Sequence, residues 1–203
     1  PEKFAQATAD LDIGILVCNA ALWVISEFMQ TSPQEHQRML DLNCRSLVSL
    51  IHPMAQRFKA QRRGGILIMS SLSGMQGNAL LSAYAATKAF DTVLAEGLWA
   101  ELKPFGVDVM ACVAGAMATP GFYQVTPKDK QASAFPAFPG EVARRTLDAL
   151  QNKAQQPLFI PAAGPRFANA LGRLMTRTAR TRFFSRMNRQ LYGAASNTRK
   201  KDA

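Results

Sequence analysis

GGILIMSS (residues 64–71) and, ten residues on, SAYAATKAF (residues 82–90) decide how this chain is read. The first is a short run of Ile, Leu and Met closed by two serines, the pattern of a strand buried on both faces. The second opens a long alanine- and leucine-rich stretch, Ser82 to Leu102, that reads as a helix stopped ahead of Pro104. A buried strand followed by a long helix is the repeating unit of a parallel sheet, and the same alternation extends in both directions. DIGILVCNAA (12–21) and GVDVMACVAG (106–115) are further apolar strands, and PLFIPA (157–162) is a fourth. Ser32, Pro33 and Glu35 supply a cap, a first-turn proline and a capping-box acid. The helix they start is predicted to run to about Arg62, with a kink at Pro53. GEVARRTLDALQ (140–151) is the last helix of the alternation. This is an α/β domain with a parallel sheet, which binds its ligands at the carboxyl ends of its strands. Those ends read Asn19, Ser70–Ser71 and Ala114–Gly115. Between residues 116 and 139, Phe122, Tyr123, Phe135 and Phe138 stand among prolines, as an apolar lid over a pocket or as a packed surface loop.

Length and composition bound the rest. At 203 residues the chain can bury one real core, and 48% hydrophobic against 19% charged residues is a globular balance. No run approaches the ~18 apolar residues of a membrane span, and no secretory signal opens the sequence. A cytoplasmic placement is therefore expected. Cys18, Cys44 and Cys112 have no metal-like or CxxC spacing and read as small hydrophobes in a reducing compartment. His36 and His52 have no carboxylate pattern around them and read as structural or surface residues, so no metal site is expected. The net charge of +10 is lopsided: residues 166–203 hold ten Lys/Arg against Asp202 alone.

Tyr84 and Lys88 are four apart on the predicted helix and share a face. A free tyrosine titrates near pH ~10. A nearby ammonium favours the phenolate, which is what a proton-transferring tyrosine needs. Such a pair alone is weak evidence, but Ser71 closes a strand 13 residues upstream, Asn43 lies on the preceding helix, and Asn19 ends the strand before that.

CNAA, LNCRS, ILIMSSLSG, YAATK and VAGAMAT occur in the order and spacing of the short-chain dehydrogenase/reductase family, which this chain resembles to about residue 120 and more loosely to about 162. The resemblance implies a Rossmann-like, doubly wound parallel sheet. It implies hydride transfer between a nicotinamide cofactor and a ketone or secondary alcohol. Tyr84 is similar to the family's general acid/base. Lys88 resembles the residue that lowers the tyrosine pKa and binds the nicotinamide ribose. Ser71 matches the serine that orients the substrate oxygen, and Asn43 the helix asparagine that holds a water in the proton relay. Asn19 matches the asparagine beside the cofactor. Ala114, Gly115, Met117 and Thr119 fall where the family meets the carboxamide and pyrophosphate. NADP or NAD is the implied cofactor, NADPH being favoured, and a homodimer or tetramer is implied through the two long helices.

The departures are at the front. A phosphate-cradling glycine loop is absent, since none of the thirteen glycines forms G-x-x-x-G-x-G. Family members begin roughly 70 to 80 residues before the position of Pro1, so the expectation is an N-terminally truncated chain. It would lack its first βαβ portion and much of its dinucleotide site. Residues 1–165 are expected to form the partial catalytic domain and 166–203 a helical, basic, amphipathic extension. The extension has apolar residues at 167, 171, 174 and 175 and again at 183, 184, 187 and 191. It reads as a solvated basic face packed on the domain or as an attachment to an anionic membrane surface. Nucleic acid is the least supported partner. An arginine-rich tail also resembles the branch of 3-oxoacyl-thioester and steroid ketone reductases, which implies an acyl or lipid substrate. The rival class is a non-catalytic scaffold or membrane-binding module that kept the fold. A serine hydrolase using Ser71 is disfavoured because no G-x-S-x-G elbow is present.

Overall fold

The computed structural model describes residues 2–152 and 156–198; Pro1 and the terminal Arg199, Lys200, Lys201 and Asp202 lie outside them. The elements run α1 (Glu2–Ala7), β1 (Ile15–Cys18), α2 (Pro33–Leu40), α3 (Ser46–Gln61), β2 (Gly64–Ser71), α4 (Ser82–Leu102) and β3 (Val107–Ala114). There follow α5 (Pro120–Val125), α6 (Lys128–Gln131), α7 (Pro139–Gln151), β4 (Leu158–Phe159), α8 (Ala163–Arg173) and α9 (Arg177–Thr198). The four described strands form one all-parallel sheet in the order β1-β2-β3-β4, with Ser71 opposite Ala114 at the carboxyl end of the central pair.

Alternation within the central strands sends side chains to two faces, and each face has its own helical cover. Ile66, Ile68, Val107, Val109 and Ala111 pack with Leu47, Ile51, Met54 and Phe58 of α3 and with Ala95 and Leu102 of α4. Leu67, Met110, Cys112 and Ala114 pack instead with Val142 and Leu150 of α7. This is the doubly covered sheet that the sequence pattern predicts. Between α4 and β3, Gly106 makes the turn at φ 74°, and a Cβ there would meet the Arg62 carbonyl oxygen at 2.6 Å.

Three expectations change. The strand predicted over 12–21 narrows to Ile15–Cys18, and it is not buried on both faces: Ile15 and Val17 are exposed. Its side chains see the α3 face through Leu16, and its other face is uncovered among the described residues. The strand predicted over 157–162 is only Leu158–Phe159. The helix predicted from Ser32 does open with the full Ser32/Glu35 capping box, but its regular path is interrupted at Asp41–Arg45. It continues unbroken through Pro53. The interruption is a π-helical turn, and Asn43 sits inside it.

Asn43 explains why that turn is worth its irregular backbone. Its Oδ1 accepts the Leu22 N–H at 2.8 Å, while its Nδ2 donates to the Leu22 carbonyl at 2.8 Å and to Thr87 Oγ1 at 3.0 Å. One buried amide thus joins the loop after β1, the π-turn and α4. Replacing it with alanine leaves both Leu22 backbone groups without these partners. Asn43→Ala is expected to destabilise the chain by about 1–3 kcal/mol, read as a lower urea midpoint at unchanged slope.

Candidate functional site

The site is built where β2 ends and α4 begins. The two serines that close β2 face opposite ways. Ser70 is buried and turns toward α4, its Oγ donating to the Lys88 carbonyl at 2.8 Å and meeting Thr92 Oγ1 at 2.9 Å. Ser71 turns outward, hydrogen-bonds Tyr84, and accepts the Ser73 N–H at 3.2 Å. Alternation along a strand demands this division, and it leaves the second serine for chemistry. The turn at Leu72–Met75 lies against α4 at Lys88. A Cβ on Gly74 would stand 2.5 Å from the Lys88 carbonyl carbon, so only glycine permits the approach.

Ser71 and Tyr84 line a cleft of about 960 Å3 whose walls come from far apart in the sequence. Trp23 and Leu72 stand on one side and Phe122 of α5 on another, and α9 closes it with Phe184, Met187 and Leu191. Of the lid aromatics, Phe122 is buried, whereas Phe135 and Phe138 are largely exposed, and Phe135 also lines the cleft. The cleft is thus largely apolar with a hydroxyl pair among its lining groups.

Lys88 does not behave as the sequence predicts. Its ammonium donates to the Met69 carbonyl at 2.7 Å and to Asp91 Oδ2 at 2.9 Å, both side chains being 5% exposed or less. Its distance to the centre of the Tyr84 ring is 5.8 Å. Far from being lowered, the Tyr84 phenol is pushed up to about 12. Burial is the main cause; the Ser71 hydrogen bond opposes it, and Asp91 and Tyr192 add to it. Lys88 has a carboxylate partner that a four-residue spacing could not reveal.

The remaining predicted residues are distributed around this centre. Asn43 is a buried clamp whose amide binds Leu22 and Thr87. Asn19 is exposed just past β1. Ala114 is buried at the end of β3. Gly115 packs on Pro165, where an added Cβ would come within 2.9 Å. Met117 pairs by a bridge with Ala137, and the Thr119 hydroxyl caps α5 by accepting the Phe122 N–H at 3.3 Å. Sequence reasoning missed Asp91 and Tyr192. An acid three residues after Lys88 is a signal present in the sequence; the arrival of Tyr192 from α9 is not. Cys112 is buried and accepts a hydrogen bond from Thr146 at 3.3 Å, Cys18 and Cys44 are half-buried, and no metal-ligating cluster occurs among the described residues. No helix among them is long and apolar enough to cross a membrane.

Comparison with known proteins bears on this arrangement. A family model described as short chain dehydrogenase matches residues 2–130. The 7beta-hydroxysteroid dehydrogenase of Clostridium sardiniense is 30% identical over 152 residues, covering 75% of this chain and 58% of that protein. The very-long-chain 3-oxoacyl-CoA reductase of Podospora anserina is 31% identical over 120 residues, covering 58% of this chain and 35% of that protein. A structure solved for insights into 7beta-hydroxysteroid dehydrogenase stereoselectivity superimposes with a TM-score of 0.81 at 24% identity, over 90% of this chain and 71% of that one. The chain therefore spans about half the length of the curated relatives it matches, and the fold likeness extends into its last helices.

The raised phenol has a consequence for stability that needs no substrate. The fold holds the Tyr84 proton more tightly than the unfolded chain, whose tyrosine loses it near 10. Stability from this group is complete below that pH and is lost as the pH rises toward about 12. Tyr84→Phe is expected to lose roughly 2 kcal/mol less across that window than the wild type, as urea unfolding at its two ends will show.

Proposed function

The chain belongs to the short-chain dehydrogenase family, and from that premise we propose that it carries the catalytic face of a nicotinamide-dependent oxidoreductase that reduces a ketone on a large apolar substrate. The observation that carries this reading is the Ser71–Tyr84 hydrogen bond within an apolar cleft of about 960 Å3. That volume lies at the upper end of ordinary ligand pockets, room for a fused-ring or long-chain molecule. The names of the similar proteins, a hydroxysteroid dehydrogenase and a 3-oxoacyl-CoA reductase, support the same substrate class.

In this mechanism Ser71 donates a hydrogen bond to the substrate carbonyl and polarises it. Tyr84, protonated at neutral pH as an ordinary tyrosine is and held so more firmly by burial, gives its proton to the oxygen as negative charge develops there. The cofactor supplies the hydride when bound. The residues that would hold its nicotinamide-ribose end are Asn19, exposed just past β1, and Lys88, one helical turn beyond Tyr84, whose ammonium here is bound to Met69 and Asp91. Gly115 is occupied by Pro165 and offers no open cradle. The pyrophosphate has no glycine-rich turn within these 203 residues. NADPH is the reductant we favour, with NADH as its alternative in the assay below. A scaffold that had merely kept the fold would have no need for a serine and a buried tyrosine meeting in a cleft.

The basic extension supports delivery of that substrate from a lipid surface. On α8 the amphipathic pattern is inverted: Asn169 and Gly172 face inward and are buried, whereas Phe167, Leu171 and Leu174 are 72%, 50% and 85% exposed. Exposed Arg166, Arg173 and Arg177 flank this stripe. The inward face of the same helix lines the cleft through Pro165 and Ala168. An apolar stripe edged by arginines fits an anionic bilayer surface.

Two measurements test the reading. Oxidation of NADPH and NADH, followed by nicotinamide absorbance with bulky and small ketones on the full-length protein, is expected to favour the bulky ones. Tyr84→Phe should lower kcat/KM by about 10²- to 10⁴-fold; equal rates in both proteins sink the mechanism. Co-sedimentation with anionic vesicles is expected to fall when Phe167, Leu171 and Leu174 are together replaced by serine. Unchanged sedimentation removes the membrane from the account and leaves the chemistry untouched.

A further inference from the structure

We propose that Lys130 is the charge partner of the substrate in this cleft: its ammonium receives a carboxylate, or a like single anion, on an apolar molecule whose ketone is held at Ser71 and Tyr84. The proposal rests on the reading of the cleft as a ketone reductase site. It narrows the substrate class from large and apolar to amphipathic and anionic.

The lining of the cleft carries it. Among the described residues that form its walls, Lys130 is the one charged side chain. The basic residues of the chain crowd its last helices, and α9 is part of this wall. Yet α9 contributes Phe184, Met187 and Leu191 to the lining and none of its arginines. The single charge comes instead from α6, in the segment between β3 and α7. An ammonium beside an apolar chamber loses hydration when a ligand fills the space, and that loss is unfavourable unless the ligand brings an anion. One cation matches one anion. A polyphosphate would find no further cation in the lining among the described residues, so the group is a carboxylate or a sulfate. A chamber of about 960 Å3 has room for the fused-ring or long-chain body that carries it.

Lys130 is held in place while its charge stays exchangeable. Its backbone N–H donates to the Pro127 carbonyl at 2.9 Å, and its carbonyl accepts Ser133 Oγ at 2.8 Å. The next residue, Gln131, ties α6 to α5: its Nε2 donates to the Tyr123 and Thr126 carbonyls at 3.3 and 3.0 Å. α5 in turn carries Phe122 and Val125 into the cleft wall. The short α6 is thereby fastened against the chamber. The ammonium itself meets Asp129 at 3.6 Å, longer than a hydrogen bond, and the two side chains are 45% and 73% exposed. An exposed pair of this kind contributes little, and a carboxylate arriving from the cleft can replace it.

The test is a calorimetric titration of the chain with decanoate, 1-decanol and decyltrimethylammonium, each below its micelle concentration. Quenching of Trp23, which lines the cleft, places the binding there when read against Trp23→Phe. The wild type is expected to bind decanoate about fivefold more tightly than decanol, and 1 M salt should shrink that preference. Lys130→Gln should bring decanoate to the decanol value and leave decanol unchanged. Lys130→Arg should keep the preference, and Lys130→Glu should transfer it to decyltrimethylammonium. The proposal is overturned by a wild type that binds none of the three or shows no preference, by a preference that survives Lys130→Gln, or by a loss that decanol shares equally. A loss confined to NADPH, titrated in the same way, would give the ammonium to the cofactor and overturn it too. Because no turnover is read, the two readings fail separately. A chain that binds decanoate through Lys130 and reduces no ketone removes the reductase, whereas reduction of neutral and anionic ketones alike removes only the role of Lys130.

Discussion

Lys88 is the staple on which the rest of the site depends. Its backbone carbonyl accepts Ser70 Oγ at 2.8 Å and Thr92 Oγ1 at 3.0 Å, and its side chain crosses to the Met69 carbonyl at 2.7 Å. One residue thereby fastens the first turns of α4 to Met69 and Ser70 near the carboxyl end of β2. Tyr84, one helical turn earlier, is delivered over Ser71 as a consequence. The packing cooperates: the turn after β2 closes on the Lys88 backbone through Gly74, and Asn43 draws in the loop after β1 from the other side. Lose the lysine's contacts and the buried carboxylate and strand carbonyl lose their partner together, the kind of defect that costs several kcal/mol rather than one.

Where a pattern in the chain reflected burial on two faces, it was legible. The runs Ile66–Met69 and Val107–Ala114 alternate between two helical layers, so every position is apolar and the strands stand out. The spacing between Ser71 and Tyr84 was legible because strand end and helix start are rigid, and a fixed offset survives folding. Other features depend on contacts that sequence spacing does not encode. The π-turn at Asn43 follows from an amide reaching Leu22, 21 residues away. The strand at Ile15–Cys18 looks buried by composition, yet its apolar residues include two that no described element covers. The stripe on α8 is the clearest case. Periodicity locates it and is silent about which way it points, because an apolar face directed at a core and one directed outward have the same spacing.

The behaviour of Tyr84 shows how a single environment is divided between opposing influences. A lysine four residues along argues for an acidic phenol, and enclosure argues for a basic one. The second prevails here because burial is the larger influence, and the lysine's ammonium is paired at 2.9 Å with Asp91. Coulomb attraction acts on net charge, so a paired ammonium at the back of a ring influences it far less than a bare one. A raised phenol is a weaker acid and its phenolate a stronger base, so burial by itself holds the proton on Tyr84.

The far wall of the cleft is suspended from one alanine. Ser185 accepts the Ala79 N–H at 3.0 Å and Asn188 donates to the Ala79 carbonyl at 3.2 Å, joining α9 to the loop ahead of α4 across more than a hundred residues of chain. Ser71 and Tyr84, in contrast, are held by β2 and by the start of α4 packed on it. The molecule is accordingly divided into a stationary bench and a hung partition. Substitutions along α9 at Phe184, Met187 or Leu191 would resize the chamber and leave Ser71 and Tyr84 in place. A lineage could change what the cleft admits by retailoring one helix, whose polar ties run to Ala79, to Asn169 through Arg180 at 3.1 Å and to Thr126 through Tyr192.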